Sequence, residues 1–160
     1  MSPLLLAIYQ LIYKMHTAGM PVVPDLFNKI FIRLLFGCHI GTGAKIGQGV
    51  TLAYGGLGIV IHHKAVIEDN VTVGPHVVIG GTSGKAGVPV IKKGAYLGAG
   101  CKILGPMTIG AGAVIGAGAV VTTNIPAKAL AVGVPAKVIK KNVNAASFTG
   151  VSEEDEKAHP

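Results

Sequence analysis

Apolar residues recur every six positions through most of this chain. Thirteen aliphatic residues mark the repeat: Ile40, Ile46, Leu52, Ile61, Ile67, Val73, Ile79, Ile91, Leu97, Ile103, Ile109, Ile115 and Val121. Two positions before each of them stands another uncharged, apolar residue. A helix repeats every 3.6 residues and a half-buried strand every two, whereas a six-residue repeat with regular turns is typical of a parallel β-helix. We therefore expect an all-β solenoid of roughly five coils over residues 38–125, with three six-residue units in each coil.

The repeat is interrupted twice. Three extra residues stand between Leu52 and Ile61, and six stand between Ile79 and Ile91. Strands that are three units apart belong to neighbouring coils, so the turn after Ile61 should stack on the turn after Ile79 at about 4.8 Å, the spacing of adjacent strands. The second interruption is therefore expected beside the residues that follow Ile61.

Two histidines occupy that turn, next to the glycine-rich loop that opens at Gly80. Neutral imidazole is a workable general base near pH 7, so His62 and His63 are candidate catalytic residues. Backbone N–H groups at Gly80 and Gly81 can approach an anion closely, and Lys85 adds a positive charge. The competing interpretation is that these residues are ordinary solvated corners of the solenoid.

The segments before the repeat, residues 3–15 and 25–37, are apolar and compatible with helices. We expect residues 1–37 to form a helical cap over the open first coil. Neither run reaches the ~20 apolar residues that span a bilayer. The alternative to a cap is a helix that lies on a membrane surface. A cleaved signal peptide is disfavoured, because Lys14 and His16 stand where a small-residue cleavage site should be.

The remaining chain divides into a β-helix domain, residues 38–141, and a polar tail, residues 142–160, which we expect to be disordered. The net charge of +7 favours an anionic ligand. We find no basic stripe with interleaved aromatic residues, so nucleic acid is not an expected partner. Cys38 and Cys101 fall on inward positions of the repeat and indicate neither a disulfide nor a zinc site. This pattern favours a reducing, cytoplasmic location.

The run Ile109–Val121 and the ending Val132–Ile139 resemble the hexapeptide-repeat acyltransferases. Within that family, the stretch from Ile59 to Ile103, with Gly-Gly-Thr-Ser-Gly-Lys at 80–85, is most similar to serine acetyltransferase. The resemblance covers about residues 38–141. It implies a left-handed parallel β-helix, a homotrimer, and acetyl-CoA as co-substrate bound between neighbouring prisms without a metal. It also implies direct acetyl transfer to an acceptor hydroxyl, with a histidine as general base.

The resemblance also implies where the co-substrate binds. The pantetheine arm would lie along the prism edge past Ala99 and Ala117. The phosphates of coenzyme A would meet Lys85, Lys137 and Lys140.

Three departures from the family stand near the expected site. Ala53 and Tyr54 occupy the places of an Asp-His pair, His39 replaces an aspartate, and residues 80–90 lack the loop histidine. A similar subgroup from polysaccharide gene clusters shares the Tyr-Gly-Gly-Leu-Gly-Ile-Val-Ile-His pattern of residues 54–62. We therefore rank His62 above His63 as the base, with Tyr54 as its hydrogen-bonding partner. A long N-terminal helical domain is also missing, so we expect a trimer rather than a dimer of trimers.

Four functions remain open. The first is an acetyl-CoA-dependent O-acetyltransferase acting on serine or a serine-like acceptor, as in cysteine biosynthesis. The second is a sugar O- or N-acetyltransferase of surface polysaccharide biosynthesis. The third is a zinc carbonic anhydrase using His62, His63 and His76, which is disfavoured because adjacent side chains should point in different directions. The fourth is a scaffold without catalytic activity.

Overall fold

A computed structural model describes residues 3–20 and 22–149 of the protein. The chain begins with helix α1 (Pro3–Thr17), helix α2 (Val23–Phe27) and a π-helical segment (Asn28–Leu34). A parallel β-helix follows, and two 3₁₀ helices lie at Ala53–Gly56 and Ala145–Phe148.

Fifteen short strands build the solenoid in the described residues. They are β1 (His39–Ile40), β2 (Lys45–Ile46), β3 (Thr51–Leu52), β4 (Val60–Ile61), β5 (Val66–Ile67), β6 (Thr72–Val73), β7 (Val78–Gly80), β8 (Val90–Ile91), β9 (Tyr96–Leu97), β10 (Lys102–Leu104), β11 (Thr108–Ile109), β12 (Val114–Ile115), β13 (Val120–Val121), β14 (Leu130–Val132) and β15 (Lys137–Lys140).

The strands form three sheets, which are the three faces of a prism. Sheet A has the order β1-β4-β7-β10-β13, sheet B the order β2-β5-β8-β11, and sheet C the order β3-β6-β9-β12-β14-β15. Each coil passes through sheets A, B and C in turn. Four coils are complete, and in the fifth the strand of sheet B is reduced to one bridge between Ile109 and Ile125.

The six-residue repeat correctly predicts the register of the coils. In sheet A, Ile61 pairs with Ile40 on one side and with Ile79 on the other. In sheet C, Leu52 pairs with Val73. Twelve of the thirteen aliphatic repeat residues are buried, and Ile46 is half-buried. The apolar side chains therefore fill the prism, and the turns stack at three corners that we name AB, BC and CA after the sheets they join.

The helices cover the first coil with specific hydrogen bonds. In inner coils, carbonyl groups such as that of Ile61 accept an N–H from the preceding coil. The first coil has no preceding coil, and side chains take over that role. The amide nitrogen Nδ2 of Asn28 donates to the Ile40 carbonyl at 2.7 Å, the Tyr9 hydroxyl contacts the Ala44 carbonyl at 2.7 Å, and Gln10 Nε2 donates to the Ile46 carbonyl at 3.2 Å.

Glycine is required where neighbouring coils approach most closely. A Cβ atom on Gly98 would lie 2.7 Å from the Ala117 nitrogen and 2.7 Å from the Ile115 carbonyl oxygen. Both atoms belong to the backbone of the next coil and cannot turn away, unlike a side-chain tip. The repeat therefore places glycine at this turn for reasons of packing, in addition to the freedom of its backbone.

The other end of the prism is closed by residues after the repeat. Strand β15 runs antiparallel to β14. Residues 142–149 were expected to be disordered, but Val143 and Ala145 pack against Val114, and the Val143 N–H donates to the Lys128 carbonyl at 2.9 Å. Apolar side chains in this polar segment account for the difference. The rest of the expected tail, from residue 150, lies outside the described residues.

Candidate active site

His62 and His63 follow strand β4 and lie at corner AB, where the second interruption of the repeat also leaves the coil. The His62 N–H donates to the Ile79 carbonyl at 2.9 Å, which fixes the turn beneath the glycine-rich loop. The two imidazole rings stack, with centroids 4.2 Å apart and planes at 29°. The expectation that the neighbouring side chains diverge is therefore wrong.

The ring of His62 is held by its own turn. The backbone N–H of Lys64 donates to His62 Nδ1 at 3.1 Å. Since Nδ1 accepts a hydrogen bond, the neutral ring carries its proton on Nε2. Partial burial of the ring, together with the nearby His63 and Lys64, lowers the pKa of His62 below its ordinary value. At neutral pH, His62 is thus an uncharged imidazole with its N–H on Nε2.

Beside His62 lies an open cleft of about 510 Å³ under the glycine-rich loop. Its lining includes His62, Lys64, Gly81, Thr82 and Lys85. Two lysines and the loop make this side of the corner positively charged and rich in small residues. The structure thus brings together the histidine, the loop glycines and the lysine that the sequence analysis singled out.

His63 lines a separate, smaller depression of about 190 Å³, together with Asp25, Asn28, Lys29 and His39. Asn28 is buried, with 8% of its side chain exposed, and its amide nitrogen donates to the Ile40 carbonyl. Sequence reasoning missed Asp25 and Asn28, because nothing in their spacing signals that the helical cap folds back onto corner AB.

Tyr54 lies elsewhere, at corner CA, with a backbone φ of 51° and a side chain that is 81% exposed. Corner CA is separated from corner AB by the width of sheet A. Tyr54 and His62 form no hydrogen bond among the described residues. Within a single chain, Tyr54 is therefore not the hydrogen-bonding partner of His62 that the sequence predicts.

The two alanines assigned to the pantetheine arm share corner CA with Tyr54. Ala99 and Ala117 are exposed in successive coils, and the Gly118 N–H donates to the Ala99 carbonyl at 2.8 Å. One coil further down, His76 also lies at this corner, and its N–H donates to the Leu57 carbonyl at 2.9 Å. Ala117, Ala99, His76 and Tyr54 thus stand at the same corner in four successive coils.

The predicted phosphate-binding residues are dispersed over one chain. Lys85 is in the loop at corner AB, with Gly80 and Gly81 at its start. Lys137 and Lys140 are exposed on β15, at the far end of sheet C. A single chain therefore does not gather the three lysines around one ligand.

No group of three or more histidine, cysteine, aspartate or glutamate side chains within residues 3–20 and 22–149 could hold a metal ion. His62 and His63 lie at corner AB, whereas His76 lies at corner CA. The three histidines considered for zinc thus do not converge within one chain.

Comparison with known proteins shows which families this chain is similar to. Residues 89–123 match the family model of the bacterial transferase hexapeptide, which has six repeats. The serine acetyltransferase of Buchnera aphidicola subsp. Schizaphis graminum is 43% identical over 116 residues, which cover 71% of this chain and 44% of that protein. The chain is therefore similar to serine acetyltransferases over its hexapeptide-repeat β-helix.

The chain also matches solved structures. Serine acetyltransferase from Brucella abortus strain S19 in complex with coenzyme A gives a TM-score of 0.78 at 30% identity, covering 87% of this chain and 56% of that chain. Soybean serine acetyltransferase complexed with serine gives a TM-score of 0.80 at 33% identity, and the match covers 85% of this chain and 56% of that chain. These matches confirm the left-handed β-helix. The chain spans about half the length of the relatives it matches.

Proposed function

We propose that this protein transfers an acetyl group from acetyl-CoA to the hydroxyl group of serine or a serine-like acceptor. The observation that supports this proposal most directly is the stacked histidine pair beside the glycine-rich loop, on a β-helix similar to serine acetyltransferases. Among the related structures, one contains coenzyme A and another contains serine. Both ligands fit the chemistry of corner AB, which offers cations for phosphate and imidazoles for a hydroxyl.

The hydrogen bond of His62 suggests how the two rings divide the work. Because His62 Nδ1 accepts a hydrogen bond from the Lys64 backbone N–H, the ring is suited to donate from Nε2. The recipient would be the thioester carbonyl oxygen, as negative charge develops there. His63, which makes no side-chain hydrogen bond to another described residue, is then the better base. This assignment reverses the ranking expected from the sequence.

In the proposed reaction, His63 accepts the proton of the acceptor hydroxyl while the hydroxyl oxygen attacks the thioester carbonyl carbon. The carbon–sulfur bond then breaks, and the sulfur of coenzyme A leaves and recovers the proton. The acceptor would occupy the depression beside His63 and the thioester the cleft beside His62, and the two would meet at the stacked rings, whose centroids are 4.2 Å apart.

A homotrimer would complete the site. Corner AB carries the histidines and the loop, whereas corner CA carries Ala99, Ala117 and Tyr54. Both corners can face one bound acetyl-CoA only if they come from different copies of the chain. Cyclic symmetry would then create the same composite site at each interface. Tyr54 would in this case approach the reacting groups from a neighbouring protomer.

A sugar hydroxyl or amine, as in surface polysaccharide biosynthesis, is the second candidate acceptor. Ala53 and Tyr54 stand where serine acetyltransferases have Asp-His, which favours a changed acceptor. The small depression beside His63 points the other way. Its volume of about 190 Å³ is below the ~300 Å³ of common ligand pockets and suits a molecule of serine's size.

Release of the coenzyme A thiol from acetyl-CoA, measured with serine and with a panel of sugars, tests the proposal. We expect acceptor-dependent release with serine and little above background with sugars. Release only with a sugar would replace serine by the second candidate. If no hydroxyl or amine acceptor accelerates release while acetyl-CoA binding is intact, acetyl transfer itself is wrong.

A further inference from the structure

The outer face of the helical cap is unusually apolar for a solvent-exposed surface. Val22 is 76% exposed and Leu34 is 77% exposed. We define the cap face by its exposed large apolar residues, which are Leu4, Leu11, Met20, Val22, Val23, Leu26, Phe27, Ile30, Leu34 and Leu35. So many exposed large apolar side chains in one short segment indicate an interaction site, because soluble proteins rarely leave large apolar patches uncovered.

Positive charges accompany the cap face. Arg33 is exposed on the same π-helical segment as Ile30 and Leu34, and Lys29 is exposed on that segment at the edge that borders the depression of His63. The one acidic residue of the described cap, Asp25, accepts a hydrogen bond from the Thr42 hydroxyl at 2.9 Å and is thereby turned towards the β-helix. The face thus offers apolar side chains and the Arg33 cation, whereas Lys29 lines the same depression as the Asp25 carboxylate.

This combination is that of a helix lying in the interface of an anionic membrane. No helix in residues 3–20 and 22–149 is long and apolar enough to cross a bilayer. We propose that the cap face docks the protein on an anionic lipid surface, with its apolar side chains inserted at the boundary of the acyl chains and the cations against the headgroups.

Two other occupants fit the face less well. A second copy of the chain in a symmetric contact would bring Lys29 and Arg33 near their own equivalents, which repel each other. The segment 150–160 is acidic at Glu153–Glu156, but its only large aliphatic residue is Val151. This segment would therefore complement the positive charge of the face, but it has too few apolar side chains to cover its apolar area.

Vesicle flotation of the full chain tests the docking. We expect the protein to float with vesicles of phosphatidylcholine and phosphatidylglycerol, and at least ten-fold less with phosphatidylcholine alone. The double variant Ile30→Ser/Leu34→Ser should abolish flotation, and Arg33→Glu should weaken it roughly ten-fold or more, at about five-fold for each unit of charge.

Matched controls lie on the β-helix. Ile139 is 61% exposed and Lys102 is also exposed, both away from the cap. Ile139→Ser and Lys102→Glu should float like the unmodified protein, and circular dichroism should show that all variants are folded. Loss of flotation in the controls to the same degree would show that the cap face is not the binding surface.

Light scattering without lipid separates the remaining outcomes. If anionic vesicles do not bind the protein while the Ile30→Ser/Leu34→Ser variant has a smaller oligomeric mass, a second copy covers the face and the proposal is overturned. Binding that disappears only on deletion of residues 150–160 would also overturn it. Flotation needs neither acetyl-CoA nor an acceptor, so its result is independent of the proposed acetyl transfer.

Discussion

The imidazole ring of His62 stacks on that of His63 at 4.2 Å, while its Nδ1 accepts a hydrogen bond from the Lys64 backbone. One turn therefore presents two chemically different histidines, a donor with a fixed tautomer and a second ring that makes no side-chain hydrogen bond to another described residue. If both act in acetyl transfer, replacing either should affect turnover, but in distinguishable ways.

Glutamine distinguishes donation from proton acceptance, because its amide can donate a hydrogen bond but cannot act as a base. We expect His63→Gln and His63→Ala to lose about 10²–10⁴-fold in kcat, the usual contribution of a general base. His62→Ala should lose about 10²–10³-fold, and His62→Gln should recover most of that loss. Thiol release under saturating acetyl-CoA measures each. Full turnover in both alanine variants would remove the pair from the mechanism.

The lowered pKa of His62 can be measured by NMR titration of the ring protons. Burial, His63 and the Lys64 cation all disfavour the imidazolium, so the ring should protonate only below its ordinary pKa of 6.5. Lys64→Met removes one cation and should raise the pKa of His62 towards that value. Lys85→Met serves as the control, since Lys85 is not among the causes of the shift. An unchanged pKa in Lys64→Met would contradict this electrostatic account.

The close approach at Gly98 predicts a specific loss of stability. Gly98→Ala should lower the free energy of unfolding by about 1–3 kcal/mol, because the new methyl group overlaps the backbone of the next coil. Gly80→Ala is the matched control, since its Cβ would lie 3.8 Å from Leu104 Cδ2, an ordinary contact. Urea midpoints at fixed protein concentration report both. Equal midpoints for the two variants would refute the packing role of Gly98.

The cap over the first coil predicts the effect of removing one hydroxyl. Tyr9→Phe leaves the Ala44 carbonyl without its side-chain partner and should cost about 1–3 kcal/mol of unfolding free energy. The buried hydroxyl stays protonated, because burial and the neighbouring Tyr13 raise the pKa of Tyr9. Tyr13→Phe should have little effect, since no hydrogen bond of its hydroxyl is found within the described residues. Similar losses in both variants would argue against the carbonyl contact.

Both cysteines should be unreactive in the folded protein. Burial raises the pKa of Cys38 to about 11 and that of Cys101 to about 12, so thiolate is scarce at pH 8. Ellman's reagent should therefore label neither cysteine until urea unfolds the chain. Rapid labelling of one thiol under native conditions would show that its coil opens locally.

The pairing of Ile61 with Ile79 could be predicted from the sequence because a solenoid has one structural period, and counting that period determines which turns stack. The same count placed His62 beneath the loop. It could not predict that His62 Nδ1 accepts a hydrogen bond from the Lys64 N–H, which depends on a rotamer and a local turn. It also could not bring Asp25 and Asn28 to His63, because no period links the cap helices to the coils.

The side chains of Tyr9, Gln10 and Asn28 stand in for the missing neighbour of the first coil, and antiparallel β15 lies along the outer edge of β14 at the other end. A parallel solenoid with bare ends would be a template on which the strands of another molecule could add. Here three polar side chains and one reversed strand terminate the stack in both directions. The number of stacked coils is thus limited by how the two ends of the β-helix are capped. Disruption of either cap would favour filaments over discrete particles.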